Sequence, residues 1–297
     1  MNNLLLILVC LGLGLLLQRF YRLPKDSPAA LNFYVIYLAL PAVILHEIPR
    51  LELDGRALLP FVSAWLIMAV TASMIWVTAR VLNWSRPVTG ALMLVIPLGN
   101  TSFVGIPLIQ ALLPPEALPY ALLYDQTGTV VALNSYALLV AAHYTGERRS
   151  WSSLVKTLVT FPPLVALLLA FASLPWTLPS WFDFITGRIG ESLVPVVIVA
   201  VGLQWQLKLD REHLSPMLVG LGYKLLLIPA LVFGLFAYWG LDSLAAQVVI
   251  LQSAMPAMIS AGVVAIAHGL APRLVSSCLG YGLLVSLITV PLWSRLL

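Results

Sequence analysis

Apolar residues run almost continuously along the chain, broken by short clusters of charge and never alternating with polar residues at a period of two. Charge-free stretches such as Met1 to Leu17, Ala57 to Ala79 and Leu274 to Ser294 reach the roughly 20 residues that a helix needs to cross a 30 Å hydrocarbon core. Lipid offers no partner to a backbone amide, so only helices or closed barrels span it, and continuous apolar runs select helices. Reading from one charged cluster to the next predicts ten helices, at 3–18, 29–47, 57–79, 88–113, 117–142, 155–174, 185–207, 216–239, 243–267 and 274–294. The chain is therefore expected to be an all-α, multi-pass membrane protein.

Composition agrees. Charged residues make up 9% and hydrophobic residues 61%, where a soluble protein carries roughly 25% charge. The apolar N-terminus lacks a basic residue ahead of it and a small-residue cleavage site behind it, so a retained first helix is expected rather than a signal peptide. Cys10 and Cys278 fall in predicted spans at opposite ends of the chain and suggest neither a disulfide framework nor a metal site. The net charge of +4 does not indicate nucleic acid, because the basic residues sit in short loops. Eleven of the sixteen occupy alternate loops: Arg19, Arg22 and Lys25; Arg80 and Arg86; Arg148, Arg149 and Lys156; Lys208 and Arg211; and Arg273. The positive-inside rule puts those loops in the cytoplasm and both termini outside, as in a plasma-membrane protein.

The longest cytoplasmic connection, 144–153, divides the helices into five and five, giving repeats at 1–143 and 154–297. An odd number of spans in each half makes a duplicated unit face opposite ways, which is the inverted-repeat arrangement of secondary transporters. Corresponding helices four and nine are both interrupted. Helix four reads Ile96-Pro97-Leu98-Gly99-Asn100-Thr101-Ser102-Phe103-Val104-Gly105-Ile106-Pro107, and helix nine reads Leu251-Gln252-Ser253-Ala254-Met255-Pro256-Ala257. Proline removes a backbone donor and displaces the carbonyl one turn earlier. Two such breaks that cross can turn half-helix N-termini toward an anion and freed carbonyls toward a cation. Asn100, Thr101, Ser102, Gln252 and Ser253 are thus candidate binding residues, with Pro97, Pro107 and Pro256 as crossover prolines. The lone prolines Pro41, Pro163, Pro195 and Pro229 are read as kinks.

The run from Gly99 to Pro107, with Leu251 to Pro256 and the closing Ser286-Leu287-Ile288-Thr289-Val290-Pro291-Leu292, resembles bacterial members of the auxin efflux carrier family, relatives of plant PIN transporters. That resemblance spans the chain. It implies a fold like that of NhaA antiporters and bile-acid symporters, with broken helices four and nine crossing. It also implies transport of an organic anion, a dicarboxylate or auxin-like acid, by an elevator motion. Helices 1, 2, 6 and 7 would be scaffold, helices 3 to 5 and 8 to 10 the moving part, and a homodimer would form through the scaffold in a bacterial inner membrane. The chain lacks the long central cytoplasmic loop of some plant members.

Asp125 and Lys224 are the two formal charges that no shift of boundaries moves out of a span, and an intramembrane charge costs at least about 2.5 to 3.5 kcal/mol. Each lies eight residues into its predicted helix. Lys224 either supplies field at the crossover, standing beside a carboxylate or in place of a coupling cation, or snorkels toward the cytoplasm. Asp125, followed by Gln126, Thr127 and Gly128 with Asn134 beyond, is placed to carry a proton or hold Na⁺. Arg188 and Glu191 have the spacing of a surface ion pair, and Trp84, Trp151, Trp176, Trp181, Trp205, Trp239 and Trp293 that of interfacial anchors. No H-E-x-x-H, nucleophile elbow or mid-span histidine is present, so an enzyme is not expected, nor a resident metal or cofactor beyond possible Na⁺ or H⁺ coupling. A cation/proton antiporter on the same fold is the alternative.

Overall fold

A computed structural model describes residues 2–21, 23–24, 26–51, 55–146 and 159–297. Among these the protein is all helical, with no strand beyond one isolated bridge. Six helices are long and apolar enough to cross a membrane: α1 (Asn2–Phe20), α2 (Ser27–Arg50), α3 (Leu58–Val81), α8 (Ser180–Gln204), α9 (Leu214–Trp239) and α12 (Pro272–Ser294). Four shorter apolar helices are α4 (Arg86–Val95), α5 (Thr101–Leu112), α7 (Pro162–Ser173) and α10 (Leu244–Ser253). Among the described residues the other longer helices are α6, over 118–145, and α11 (Ile259–Ala267). The predicted helices four and nine are each two helices, separated by 96–100 and 254–258. Trp151 and the basic residues Arg22, Lys25, Arg148, Arg149 and Lys156 lie outside the described residues, as does most of the 144–153 connection.

Apolar side chains face outward all along α1, including Leu5, Leu8, Leu13 and Leu16, as expected where lipid is the solvent. Its other face meets α8 at van der Waals distance through two glycines. A Cβ on Gly14 would lie 2.9 Å from Gly202 Cα and 2.5 Å from the Val199 carbonyl oxygen. Without a hydrophobic drive between helices in lipid, such backbone approach is what gives them contact area. Helices α1, α2, α7 and α8 pack on one another, while α3, α4 and α9 to α12 form a second set. Helices α5 and α6 touch both, α6 through α2 and α7.

Prolines shape the spans in a regular way. Wide π-type turns occupy Val35–Ala39, Thr101–Gly105 and Tyr223–Leu227, and each ends two residues before a proline: Pro41, Pro107 and Pro229. A proline ring cannot accept the normal turn beneath it, so the turn opens by one residue and the helix continues. Pro41 and Pro229 thus leave their helices unbroken.

The predicted anchors divide in two. Trp176, Trp181 and Trp239 are exposed near helix ends. Trp205 and Trp293 instead donate indole N–H bonds of 3.0 Å to the carbonyls of Gly280 and Leu225, tying neighbouring helices together. Arg188 and Glu191 form the expected exposed pair at 3.1 Å, of a kind that contributes little. A second surface pair was not foreseen: Arg50 reaches both Asp183 oxygens, at 2.8 and 2.9 Å, and joins α2 to α8. Cys10 and Cys278 are free and buried.

Candidate functional site

The two breaks meet. Asn100 N donates to the Pro256 carbonyl at 2.7 Å and Met258 N to the Leu98 carbonyl at 3.0 Å, with Gly99 and Ala257 opposed as an antiparallel bridge. Each proline-containing break thereby satisfies backbone groups of the other, the requirement that lipid imposes on non-helical chain. Pro97 and Pro256 lie within these segments. Pro107 does not: it sits inside α5 behind its π-turn, in the same arrangement as Pro41 and Pro229.

Asn100 caps α5, its Oδ1 accepting from Phe103 N at 3.2 Å. In the next two residues the hydroxyls point the other way, into α6. Thr101 Oγ1 donates to Asp125 Oδ1 at 2.5 Å, and Ser102 Oγ lies 2.6 and 2.7 Å from the two carboxylate oxygens. Gln126 Nε2 adds a bond of 2.6 Å to Oδ2. Asp125 is fully buried, in another π-type turn, Tyr124–Val130. Three donors around an acceptor-only group give a satisfied carboxylate, at the end of α5 where a helix favours negative charge. Asn134 is separate, bonding to the Val130 carbonyl of its own helix.

Lys224 is 2% exposed, so its side chain is turned inward and does not snorkel to the protein surface. Its ammonium lies against Gly99, just past the C-terminus of α4, where a Cβ would stand 3.0 Å from Nζ. There it complements the negative end of α4. Among the described residues it forms no ion pair, with Asp125 or any other carboxylate. Lys224, Gly99, Thr101 and Gln252 border a small space of about 10 Å³, roughly the measure of one water.

Gln252 is fully buried. Its Nε2 makes long contacts of 3.5 and 3.4 Å to the carbonyls of Thr101 and Ala121, its Oε1 has no partner, and the amide leans on Gly105. Ser253 bonds to the Ile250 carbonyl of its own helix at 2.6 Å. The polar residues of the breaks consequently do not share one cavity. Thr101 and Gln252 border the small space, whereas Asn100 lines a larger one of about 370 Å³ with Pro256, Ala257, Ile259, Gln204 and Leu283. The larger space lies between the crossing, α8 and α12, and among the described residues no Asp, Glu, Lys or Arg lines it. Gln204, at the end of α8 and within the predicted helix 185–207, is a lining residue that the sequence reading did not single out.

Two interlocked half-helix pairs inside a multi-pass bundle define a membrane transporter. Its sequence matches the membrane transport protein family over residues 1–294, and the chain belongs to that family, the auxin efflux carriers. It is similar to an uncharacterized transporter of Methanothermobacter thermautotrophicus, with 30% identity over 300 residues covering 98% of this chain and 96% of the relative. An uncharacterized transporter of Methanocaldococcus jannaschii is 23% identical over 310 residues, covering 100% and 98%.

Proposed function

We propose that this protein is a secondary transporter for a small organic anion, a dicarboxylate or auxin-like acid, held at the crossing of the two breaks. One asymmetry carries the reading. The N-terminus of α5 has its negative partner in Asp125, while the N-terminus of α11 borders the 370 Å³ cavity through Ala257 and Ile259 with no carboxylate among the described lining residues. A substrate carboxylate there takes the place that Asp125 takes at α5, with Asn100 as its polar neighbour. The volume falls in the range of small-molecule sites, about 300 to 1,000 Å³.

The proposal includes ten membrane crossings in two inverted five-helix repeats, 1–143 and 154–297, with both termini outside a bacterial inner membrane. The grouping of α1, α2, α7 and α8 apart from α3, α4 and α9 to α12, with α5 and α6 between the two groups, supports a scaffold and a moving part, hence an elevator motion, and a homodimer through the scaffold. Cysteine labelling in intact cells should reach a probe at Glu116 or Asp242 and miss one at Arg149; the reverse pattern overturns this topology.

Buried Asp125 is the observation favouring a cation/proton antiporter, but its oxygens are taken by Thr101, Ser102 and Gln126. Uptake of radiolabelled mono- and dicarboxylates into proteoliposomes, with Na⁺ and pH gradients imposed separately, decides between the two. Saturable carboxylate uptake is expected. Na⁺/H⁺ exchange without carboxylate binding would reverse the assignment.

A further inference from the structure

Beyond the crossing, α8 runs into a segment, 205–213, that is fastened to the start of α12. Trp205 Nε1 bonds to the Gly280 carbonyl at 3.0 Å. Ser277 Oγ donates to the Lys208 carbonyl at 2.5 Å and accepts from Asp210 N at 2.8 Å. This pinned loop and the first turns of α12 border an open cavity of about 670 Å³, lined by Lys208, Arg211 and Arg273 among others. Ser276 lines both this cavity and the 370 Å³ one at the crossing.

Resting on the reading of the chain as an anion carrier, we propose that Lys208, Arg211 and Arg273 form a cationic antechamber that gathers carboxylate substrate and hands it past Ser276 to the crossing. The three cations come from two elements, and among the described residues none is in an ion pair. Asp210, a carboxylate of the same wall, is turned into its loop: Oδ2 lies 2.7 Å from His213 Nδ1 and Oδ1 accepts from Glu212 N at 3.2 Å. Glu212 is exposed and opposes the field, leaving three basic groups against two acidic ones. Asp210, Glu212 and His213 lie close enough together to hold a metal ion by distance alone, but three ammonium and guanidinium groups on the same cavity repel a divalent cation. The positive-inside rule accounts for basic residues on this side of the membrane. It does not account for their convergence on a cavity that shares Ser276 with the one at the crossing. A charge-lined recess of this kind raises the local concentration of counter-ions and the rate at which they arrive.

The antechamber is tested without any transported substrate, in the full-length chain carrying Ser276→Cys in nanodiscs of phosphatidylcholine, where both faces are open. Methanethiosulfonates bearing a sulfonate, no charge or a trimethylammonium group are compared, with the unsubstituted chain, whose two cysteines are buried, as background. At low ionic strength the anionic reagent should react about 5-fold or more faster than the cationic one, the two converging in high salt. Adding Lys208→Gln, Arg211→Gln and Arg273→Gln should equalise them while leaving the neutral reagent unchanged. Equal or reversed rates in the singly substituted protein overturn the proposal, as does a preference that survives the triple change. Should the triple variant fail to fold, the salt dependence in the Ser276→Cys protein decides alone. Protection of the introduced thiol from the neutral reagent by added phosphatidylglycerol would assign the cations to a lipid headgroup, again overturning it. Failure of carboxylate uptake with an intact reagent preference would instead count against the carrier reading.

Discussion

Lys224 Nζ and the backbone of Gly99 are near neighbours: a methyl group on Gly99 would stand 3.0 Å from the nitrogen and 3.4 Å from Cε. The ammonium therefore borders the small space at the crossing, while Asn100 lines the larger one. If its field supports a carboxylate held across the break, Lys224→Gln should weaken binding of both mono- and dicarboxylates, with the greater loss for the dianion because the interaction scales with charge. Isothermal titration with the two substrate types checks this. Affinities that both stay within about 2-fold, roughly 0.4 kcal/mol, would show that Lys224 serves only the end of α4.

Asp125 holds the first two hydroxyl residues of α5 in place. Hydrogen bonds to a charged group contribute about 1.5 to 3 kcal/mol each and do not simply add. In Asp125→Asn an amide N–H₂ confronts donors, so a loss of roughly 2 to 4 kcal/mol is expected, visible as a lowered thermal midpoint. A variant as stable as the parent but lacking a pH-driven ion flux that the parent shows would make Asp125 the exchanging group of an antiporter.

Gly105 admits the Gln252 side chain, whose amide would collide with a Cβ at that position. Gly105→Ala should displace Gln252 and destabilise the junction of α5 with α10 by about 1 to 3 kcal/mol, the usual cost of overpacking. Gln252→Ala removes the obstacle, so the double variant should recover part of that loss. A double-mutant cycle with no coupling beyond about 0.5 kcal/mol would mean that the contact does not constrain either helix.

Much of the helical architecture was legible because lipid leaves few alternatives: apolar runs had to be helices, and paired Pro and Gly breaks had to find backbone partners. The meeting of 96–100 with 254–258 follows from that rule. What the sequence did not reveal is which way each polar side chain turns within a break. Asn100, Thr101 and Ser102 are consecutive, yet Asn100 faces one cavity while its two neighbours bond to Asp125. Ser253 resembles them in sequence context but spends its hydroxyl on its own helix. Pro107 was indistinguishable from Pro97 by composition, because a proline that opens a turn and one that ends a helix differ only in what packs around them. The fate of Lys224 likewise depended on Gly99, whose missing side chain makes room for it.

Asn100 separates a structural role from a binding role better than any other residue of the crossing. Its Oδ1 caps α5 through Phe103 N, a function that Asp performs as well as Asn, whereas Ala loses about 1 kcal/mol of helix-end stability. Its side chain also borders the 370 Å³ cavity, where Asp would set a negative charge beside an anion. Asn100→Ala should therefore lower the melting temperature slightly and abolish saturable carboxylate binding. Asn100→Asp should keep the melting temperature and abolish binding all the same. The pair of variants is measured by thermal unfolding in detergent and by binding of a radiolabelled dicarboxylate to the purified protein. Retained affinity in Asn100→Asp would mean that the anion does not lie at the crossing, since a like charge set beside it repels it.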